Sequence, residues 1–175
     1  GDGDGATCSG LTILGPHGSR VQADTLAFET AKNPDQINTY GVTGYPVNAD
    51  KECIDGFISD LTEGFVTYQG QVDSNAYSVA AYQRGWVVAD AGANALFRVD
   101  NRGRVSTLAV LPPQTLLITD EMAADPDLPD CLGGVTYSFE PVPTDVEVGR
   151  DGALYITTLP GGEGAALGAR GALWR

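Results

Sequence analysis

Two stretches of the chain repeat one structural unit, and this repeat constrains the fold more than any single residue does. The first stretch runs from Asn75 to Val110 and the second from Val142 to Arg175. In each, short alternating or β-branched runs are separated by turns built on a polar residue and Gly. A unit of about 40 residues with four short strands is typical of a β-propeller blade. The repeat therefore predicts an all-β chain, a partial β-propeller of about two to three four-stranded antiparallel blades.

The first repeat predicts a complete blade at residues 75–111. Its strands are expected at Tyr77–Ala81, Trp86–Ala89, Ala95–Val99 and Val105–Val110. The second repeat predicts an incomplete blade at 142–175. Its strands are expected at Thr144–Val148 and Leu154–Thr157, with a last strand ending at Trp174 and Arg175. Aromatic residues on these strands are expected to pack the blades together: Trp86, Phe97, Tyr155 and Trp174.

Residues 10–24 have the pattern of the third and fourth strands of a further blade, because two apolar runs flank the turn sequence GPHG. The segment that follows predicts one short helix at Leu26–Lys32, with Asp24 or Thr25 as its N-cap. The helical share of the chain is expected to stay below about a third, the ordinary level in globular proteins.

Residues 25–74 and 112–141 interrupt the blades as long inserts of poor periodicity, with a strand placed only at 64–72. The predicted strands are too few to close a ring, since closed propellers have roughly 4 to 8 blades of four strands. Unpaired sheet edges favour association with other strands. We therefore expect a second polypeptide, a second copy of the chain or a missing N-terminal segment to complete the propeller.

The charge of the chain disfavours two classes of partner. The formal net charge is −13, from 10 Lys and Arg against 23 Asp and Glu. Such a surface repels phosphate backbones and anionic membranes, so we expect neither nucleic-acid binding nor membrane insertion. No apolar run in the sequence approaches the roughly 20 residues needed to span a bilayer.

The cysteines predict a disulfide. Cys53 and Cys131 lie in segments that read as irregular loops, NADKECIDG and DLPDCLGG, where secreted proteins commonly place a covalent link. This pairing predicts a secreted, extracellular protein. The alternative is three unpaired thiols, with Cys8 free or bonded outside the chain. A structural zinc site is not expected, because His17 is the only histidine and no CxxC is present.

Several motifs together resemble the ScyD/ScyE-type proteins of bacteria. They are FETAKNPD, QVDSNAYSV, VVADAGANALFRVDNRGRVSTLAVLP and VPTDVEVGRDGALYITTLPG, in that order. The resemblance covers residues 10–34 and about 72–175. It implies a secreted six-bladed propeller related to NHL and gluconolactonase-type proteins, of which this chain is a C-terminal fragment. The chain departs from the family at Ala76 and Ser78, where a proline and a glycine are usual, and in its two long inserts.

Oxygen-bearing side chains in loops on one face of the predicted blades suggest a calcium site. In a propeller these loops converge on the central channel, and calcium takes roughly 6 to 8 oxygen ligands. The candidate ligands are Asn75, Asp90 and Asp145. The same loops also carry Asp73, Ser74, Asn94, Thr144, Thr157 and Thr158. The alternative is that these Asp and Asn side chains cap turns by accepting hydrogen bonds from the nearby main chain.

Other motifs lack residues that a metal-binding, phosphate-binding or catalytic site would need. Asp2 and Asp4 lack the remaining ligands of an EF-hand, and the run Asp125, Asp127 and Asp130 is expected to be a solvated loop. The Gly-rich residues 161–168 lack the lysine of a phosphate-binding loop, and His17 falls in a hairpin turn.

The residues therefore predict an extracellular β-propeller binding or interaction module. The inserts and face loops are expected to contact its partner. The alternative, which the resemblance implies, is a calcium-dependent lactonase or hydrolase with its site at the mouth of the channel, where the ion would polarise a carbonyl.

Overall fold

A computed structural model describes residues 9–18, 20–161 and 167–175. The chain is mostly β, with four antiparallel sheets, none of which closes on itself. Helices make up 21% of the chain, so the expectation of a helical share below a third is confirmed.

The segment predicted to be a complete blade forms a four-stranded antiparallel sheet, and the word blade is used below as a label for this sheet. Its strands are β5 (Ala76–Tyr82), β6 (Gly85–Asp90), β7 (Ala95–Asp100) and β8 (Val105–Val110), paired in chain order. Short turns join them. The Asp100 carboxylate closes the third turn by accepting from the main-chain amides of Arg102 (2.8 Å) and Arg104 (3.0 Å).

A three-stranded sheet packs on one face of this blade. Its strands are β11 (Pro143–Val148), β12 (Leu154–Thr158) and β13 (Ala172–Trp174). The first of these lies against β5, where Ser78 Oγ accepts from the Val146 amide at 3.3 Å. Val87, Leu96, Val146 and Ile156 form the shared core.

A hairpin and a helix cover part of the other face. The hairpin joins β1 (Gly10–Leu14) to β2 (Arg20–Asp24), and α1 (Thr25–Lys32) follows at once. Asp24 Oδ1 caps α1 by accepting from the Ala27 amide at 2.7 Å, as predicted. Phe28 of α1 packs edge-on against the fully buried Phe97, with ring centroids 5.2 Å apart.

The two segments that appear as inserts in the sequence form one sheet together. Its strand order is β4 (Thr67–Gln69), β3 (Thr39–Gly44), β10 (Thr136–Phe139) and β9 (Gln114–Leu117). Two helices, α2 (Lys51–Leu61) and α3 (Asp120–Ala123), complete this region. We call residues 34–73 and 112–140 the insert module. Its core has Val42, Ile54, Ile118 and Leu132 at its centre.

The disulfide joins the two halves of the insert module. Cys53 of α2 and Cys131 are bonded, with their Cα atoms 6.4 Å apart and a sequence separation of 78. The predicted pairing is confirmed. The surroundings expected for Cys53 were wrong, because it lies in the first turn of a helix rather than in a loop.

The expected irregularity of the inserts is also wrong, for reasons visible in the residues. On β3 the consecutive residues Tyr40, Gly41 and Val42 are all buried, so the strand lacks an alternating pattern. Gly41 has φ 84° and the position its Cβ would take is 2.2 Å from the Val66 carbonyl oxygen, so no other residue fits there without a backbone shift.

No helix of the described ranges is both long and apolar enough to cross a bilayer.

Candidate functional site

The structure places the three predicted calcium ligands in different surroundings. Asp90 is fully buried at the end of β6. Its Oδ1 accepts from the amides of Asn75 (2.7 Å) and Ala93 (3.1 Å), and its Oδ2 accepts from Ser74 Oγ (2.7 Å). These bonds hold the loop before β5 against the loop after β6, which is the capping role that was the alternative for this residue.

Asn75 and Asp145 are both exposed. Asn75 meets Asp90 through its main-chain amide, and Asp145 Oδ1 accepts from Ser78 Oγ at 2.6 Å. In the described part of the chain no three His, Cys, Asp or Glu side chains lie so that they could hold a metal ion. The calcium site at Asn75, Asp90 and Asp145 stays a prediction.

Other residues singled out in the sequence lie in turns or outside the described ranges. His17 is exposed in a turn with φ 60°. Asp125 Oδ1 accepts from the Asp127 amide at 3.0 Å, within an exposed loop. Asp2, Asp4, Cys8 and most of the loop 161–168 lie outside the described residues.

The insert module contains an apolar cavity of about 280 Å³. Two elements form opposite walls: α2 contributes Phe57, Ile58 and Leu61, and the segment linked to it by the disulfide contributes Leu128 and Leu132. The remaining lining residues are Thr62, Tyr68, Ile118, Tyr137, Phe139, Glu140, Gly161 and Leu167. Pockets of this kind, mostly apolar with a few polar groups, are typical small-molecule sites.

Among the described residues of this lining, Glu140 is the one with a carboxyl group, and it lies directly after β10. Tyr68 and Asn94 hydrogen-bond to its carboxyl group. Burial raises the pKa of Glu140 above its ordinary value, and the nearby negative charges of Asp35 and Asp73 raise this pKa further.

An open groove continues from the cavity toward the blade. Tyr68, Glu140, Leu61 and Thr62 line both spaces, and the groove adds two acidic residues, Glu63 and Asp73. The cavity and the groove together are called the Glu140 cleft below. Gly92, in the loop after β6, closes the far side, and a Cβ on this residue would lie 2.8 Å from Cγ of Asp73.

Two buried carboxyl groups lie near the Glu140 cleft, where the blade and the insert module meet. Asp35 is 1% exposed, and its Oδ2 accepts from Tyr40 OH (3.2 Å) and Asn94 Nδ2 (3.1 Å). Glu29 is fully buried in α1, and neither of its carboxyl oxygens has a hydrogen-bond partner. Burial, followed by the charges of Asp35, Asp90 and Asp73, raises the pKa of Glu29 to about 8.

Asn94 connects these groups. It is 1% exposed, sits between β6 and β7 with φ 50°, and donates to Asp35 while its Oδ1 accepts from the Val142 amide at 3.1 Å. One side chain thus links the blade, the insert module and the chain segment that enters β11.

The sequence pointed to part of this arrangement. Asp73 and Asn94 were among the face-loop residues, and both lie at or beside the Glu140 cleft. Glu140 and Glu29 were missed. Glu140 follows a strand that has no periodic signal, and Glu29 occupies a helix face where an apolar residue is ordinarily buried. The wall formed by α2 had a usable signal, because Ile54, Phe57, Ile58 and Leu61 follow the helical spacing i, i+3, i+4, i+7.

Comparison of the chain with protein-family models, with curated proteins and with solved structures finds no match. The resemblance to ScyD/ScyE-type propellers therefore rests on the sequence motifs alone.

Proposed function

We propose that this chain is an extracellular binding module, built on blades of the ScyD/ScyE propeller type, which holds a small ligand with an apolar body in the Glu140 cleft. The observation that carries the proposal is the cavity of about 280 Å³, with its aliphatic and aromatic lining and the carboxyl group of Glu140. A preformed apolar space with few polar groups is the ordinary form of a ligand site.

The chemistry of the lining favours binding over catalysis. The described lining residues include no Ser, Cys or His, so no pair of nucleophile and imidazole base from the described ranges faces the cavity. The one aliphatic hydroxyl group, that of Thr62, donates to the carbonyl oxygens of Ile58 and Phe65. Because the hydroxyl hydrogen is engaged by main-chain carbonyl groups at the end of α2, Thr62 is poorly placed to act as a nucleophile.

The disulfide supports both the preformed cavity and the extracellular location. It fixes α2, one wall, to the segment that carries Leu128 and Leu132, the opposite wall. Disulfides persist in oxidising compartments and are rare in the cytosol. A wall held by a covalent bond loses less entropy on binding than a mobile one.

The proposed function can be tested with a substitution that fills the cavity. Leu128 is partly buried and lines the cavity, so Leu128→Trp would occupy the space with an indole ring. The matched control is Leu117→Trp on β9, which is 57% exposed and is not a lining residue. With 2-phenylethanol as the probe, titration followed by NMR is expected to show saturable binding to the wild type and to Leu117→Trp but not to Leu128→Trp. Equal binding by all three proteins would contradict the proposal.

The blade exposes a second surface, which supports the proposed partner. On β5, Tyr77 is 62% and Val79 is 44% exposed, beyond the part of the blade face that the β1–β2 hairpin covers. Within the described residues β1 pairs only with β2, so its other edge is open for main-chain pairing. We propose that strands of a second polypeptide or a second copy pair with this edge and cover Tyr77 and Val79. Gel filtration of the 175-residue chain tests this, since a monomer that melts cooperatively would contradict it.

A further inference from the structure

We infer that the ligand of the Glu140 cleft is an organic cation, an ammonium group carried on an apolar or aromatic body. This inference rests on the proposed function, and it names the chemical class that the cleft would select.

The charge around the cleft favours a cationic ligand. Glu140 stands between the apolar cavity and the groove, and the charged groups that act on it are the carboxylates Asp35 and Asp73. The groove adds Glu63, and the chain as a whole carries a net charge of −13. An anionic ligand that enters through the groove would meet the negative charges of Glu63, Asp73 and Glu140, whereas a cation would be attracted by them.

Aromatic rings lie beside Glu140. Tyr68, Tyr137 and Phe139 line the cavity next to the carboxyl group, and the centroids of the last two rings are 4.4 Å apart. Aromatic faces attract ammonium groups through the ring quadrupole, and a neighbouring carboxylate adds an ion pair. One of these rings already has a cation against it, because the Arg170 guanidinium lies 3.7 Å from the Phe139 centroid.

The position of Arg170 also restricts where the ammonium group of the ligand can bind. Its Nη2 donates to the Gly161 carbonyl oxygen at 2.7 Å, which holds the guanidinium at the Phe139 side of the cavity. A second cation is therefore expected at the other polar group, between Glu140 and Tyr68. The apolar body would then extend toward Ile118, Leu128 and Leu132, and the ammonium group would face the acidic groove.

The experiment compares three probes of one shape and different charge: 2-phenylethylammonium, 2-phenylethanol and 3-phenylpropanoate. Affinities are measured by NMR titration at constant ionic strength. The wild type is expected to bind the ammonium compound at least about tenfold more tightly than the alcohol, and the carboxylate most weakly. Glu140→Gln keeps the shape of the side chain and removes its charge. It is expected to reduce the affinity for the cation about tenfold and to change the affinity for the alcohol by less than about twofold.

A control and the remaining outcomes separate this inference from the proposed function. Glu121→Gln removes an exposed carboxylate of the same module that is not a lining residue, and it is expected to leave all three affinities unchanged. If the alcohol binds and the cation binds no more tightly, or if Glu140→Gln keeps the preference for the cation, the inference is wrong and the ligand site stands. If none of the probes binds to the folded wild type at millimolar concentration, both the inference and the proposed function are wrong.

Discussion

The blade sheet and the sheet of the insert module both have four antiparallel strands, yet the strands of the two sheets come together in different ways. In the blade, β5 to β8 are consecutive and pair in chain order through short turns. In the insert module, β3 and β10 pair across more than ninety residues, as in the Ser138–Gly41 register, and a disulfide crosses the same gap. Strands that pair with their neighbours in the chain can be recognised from a short stretch of sequence, because strand, turn and next strand follow one another. Strands that pair across a long sequence separation lack this signal. The locally paired blade thus serves as a scaffold, and the insert module, which depends on distant pairing, carries the cleft.

Loss of the disulfide is expected to have the largest effect on the stability of the insert module relative to the blade. Replacing both Cys53 and Cys131 by Ser is expected to destabilise the insert module by about 4 kcal/mol, because the bond closes a long loop in the unfolded chain. Hydrogen exchange measured by mass spectrometry should show faster exchange in β3 and β10 and little change in β6 and β7. The control is Cys8→Ser, which removes a thiol and leaves the bond intact. Equal acceleration in the blade would contradict the separation of the two regions.

The second prediction concerns Glu29, which lies where the two regions meet. Its pKa of about 8 in the folded chain is above the ordinary value of 4.5, so the folded chain keeps a proton that the unfolded chain releases. The free energy of unfolding should therefore fall as pH rises between about 4.5 and 8 and be flat with respect to this group above pH 8. The expected loss from pH 5 to pH 8 is roughly 3 kcal/mol, at about 1.4 kcal/mol for each pKa unit.

Urea denaturation of Glu29→Gln tests the origin of this slope. The amide keeps the shape and cannot ionise, so most of the pH dependence over this range should disappear. The matched control is Glu147→Gln on β11, an exposed position where the slope should remain. A Glu29→Gln protein with the full slope of the wild type would show that other groups cause it.

The third prediction tests the link between the regions at Asn94. Asn94→Ala removes the bonds to Asp35 and to the Val142 amide and places Ala at φ 50°, which should cost about 2–3 kcal/mol. Asn48→Ala is the control, because Asn48 also has a positive φ (62°) but is exposed. Thermal melts of the two variants give the comparison. Equal losses of stability would mean that the backbone conformation, and not the buried bonds, accounts for the effect.

The smallest effect is expected on the exposed face of the blade. Tyr77→Ser should change the stability of the isolated chain by no more than about 0.5 kcal/mol, since the side chain is 62% exposed. The same change should weaken association with a partner that covers β5, as measured by sedimentation. A large loss of stability in a dilute, monomeric sample would show that Tyr77 is already covered within the chain.

The sequence was sufficient for the blade because each strand there has its own pattern. Val87, Ala89 and Leu96 are buried toward one neighbour and Val88, Phe97 and Val99 toward the other, and the turns carry Gly or Asp. The predicted bounds of β8 are those in the structure, and the bounds of the other three strands differ by at most one residue at each end. The second repeat and the first hairpin were recognised for the same reason.

In the insert module, the feature that the sequence predicted correctly is the disulfide. Cys53 and Cys131 were paired correctly, although Cys53 lies in a helix and not in the loop from which its pairing was predicted. The strands β3, β9 and β10 were missed because Gly41 breaks the pattern of one strand and the other two are only four residues long. The Glu140 cleft was missed with them, because its walls meet only when the two distant segments fold together.

The central claim, that the Glu140 cleft is a ligand site, is tested most directly by locating a bound probe. Intermolecular nuclear Overhauser effects can be recorded for 2-phenylethylammonium bound to protein with labelled methyl groups. We expect contacts from the phenyl ring to the methyl groups of Ile118, Leu128 and Leu132, and from the methylene group next to nitrogen to the Tyr68 ring. Contacts confined to residues outside the lining, or none at a concentration that saturates binding, would contradict it.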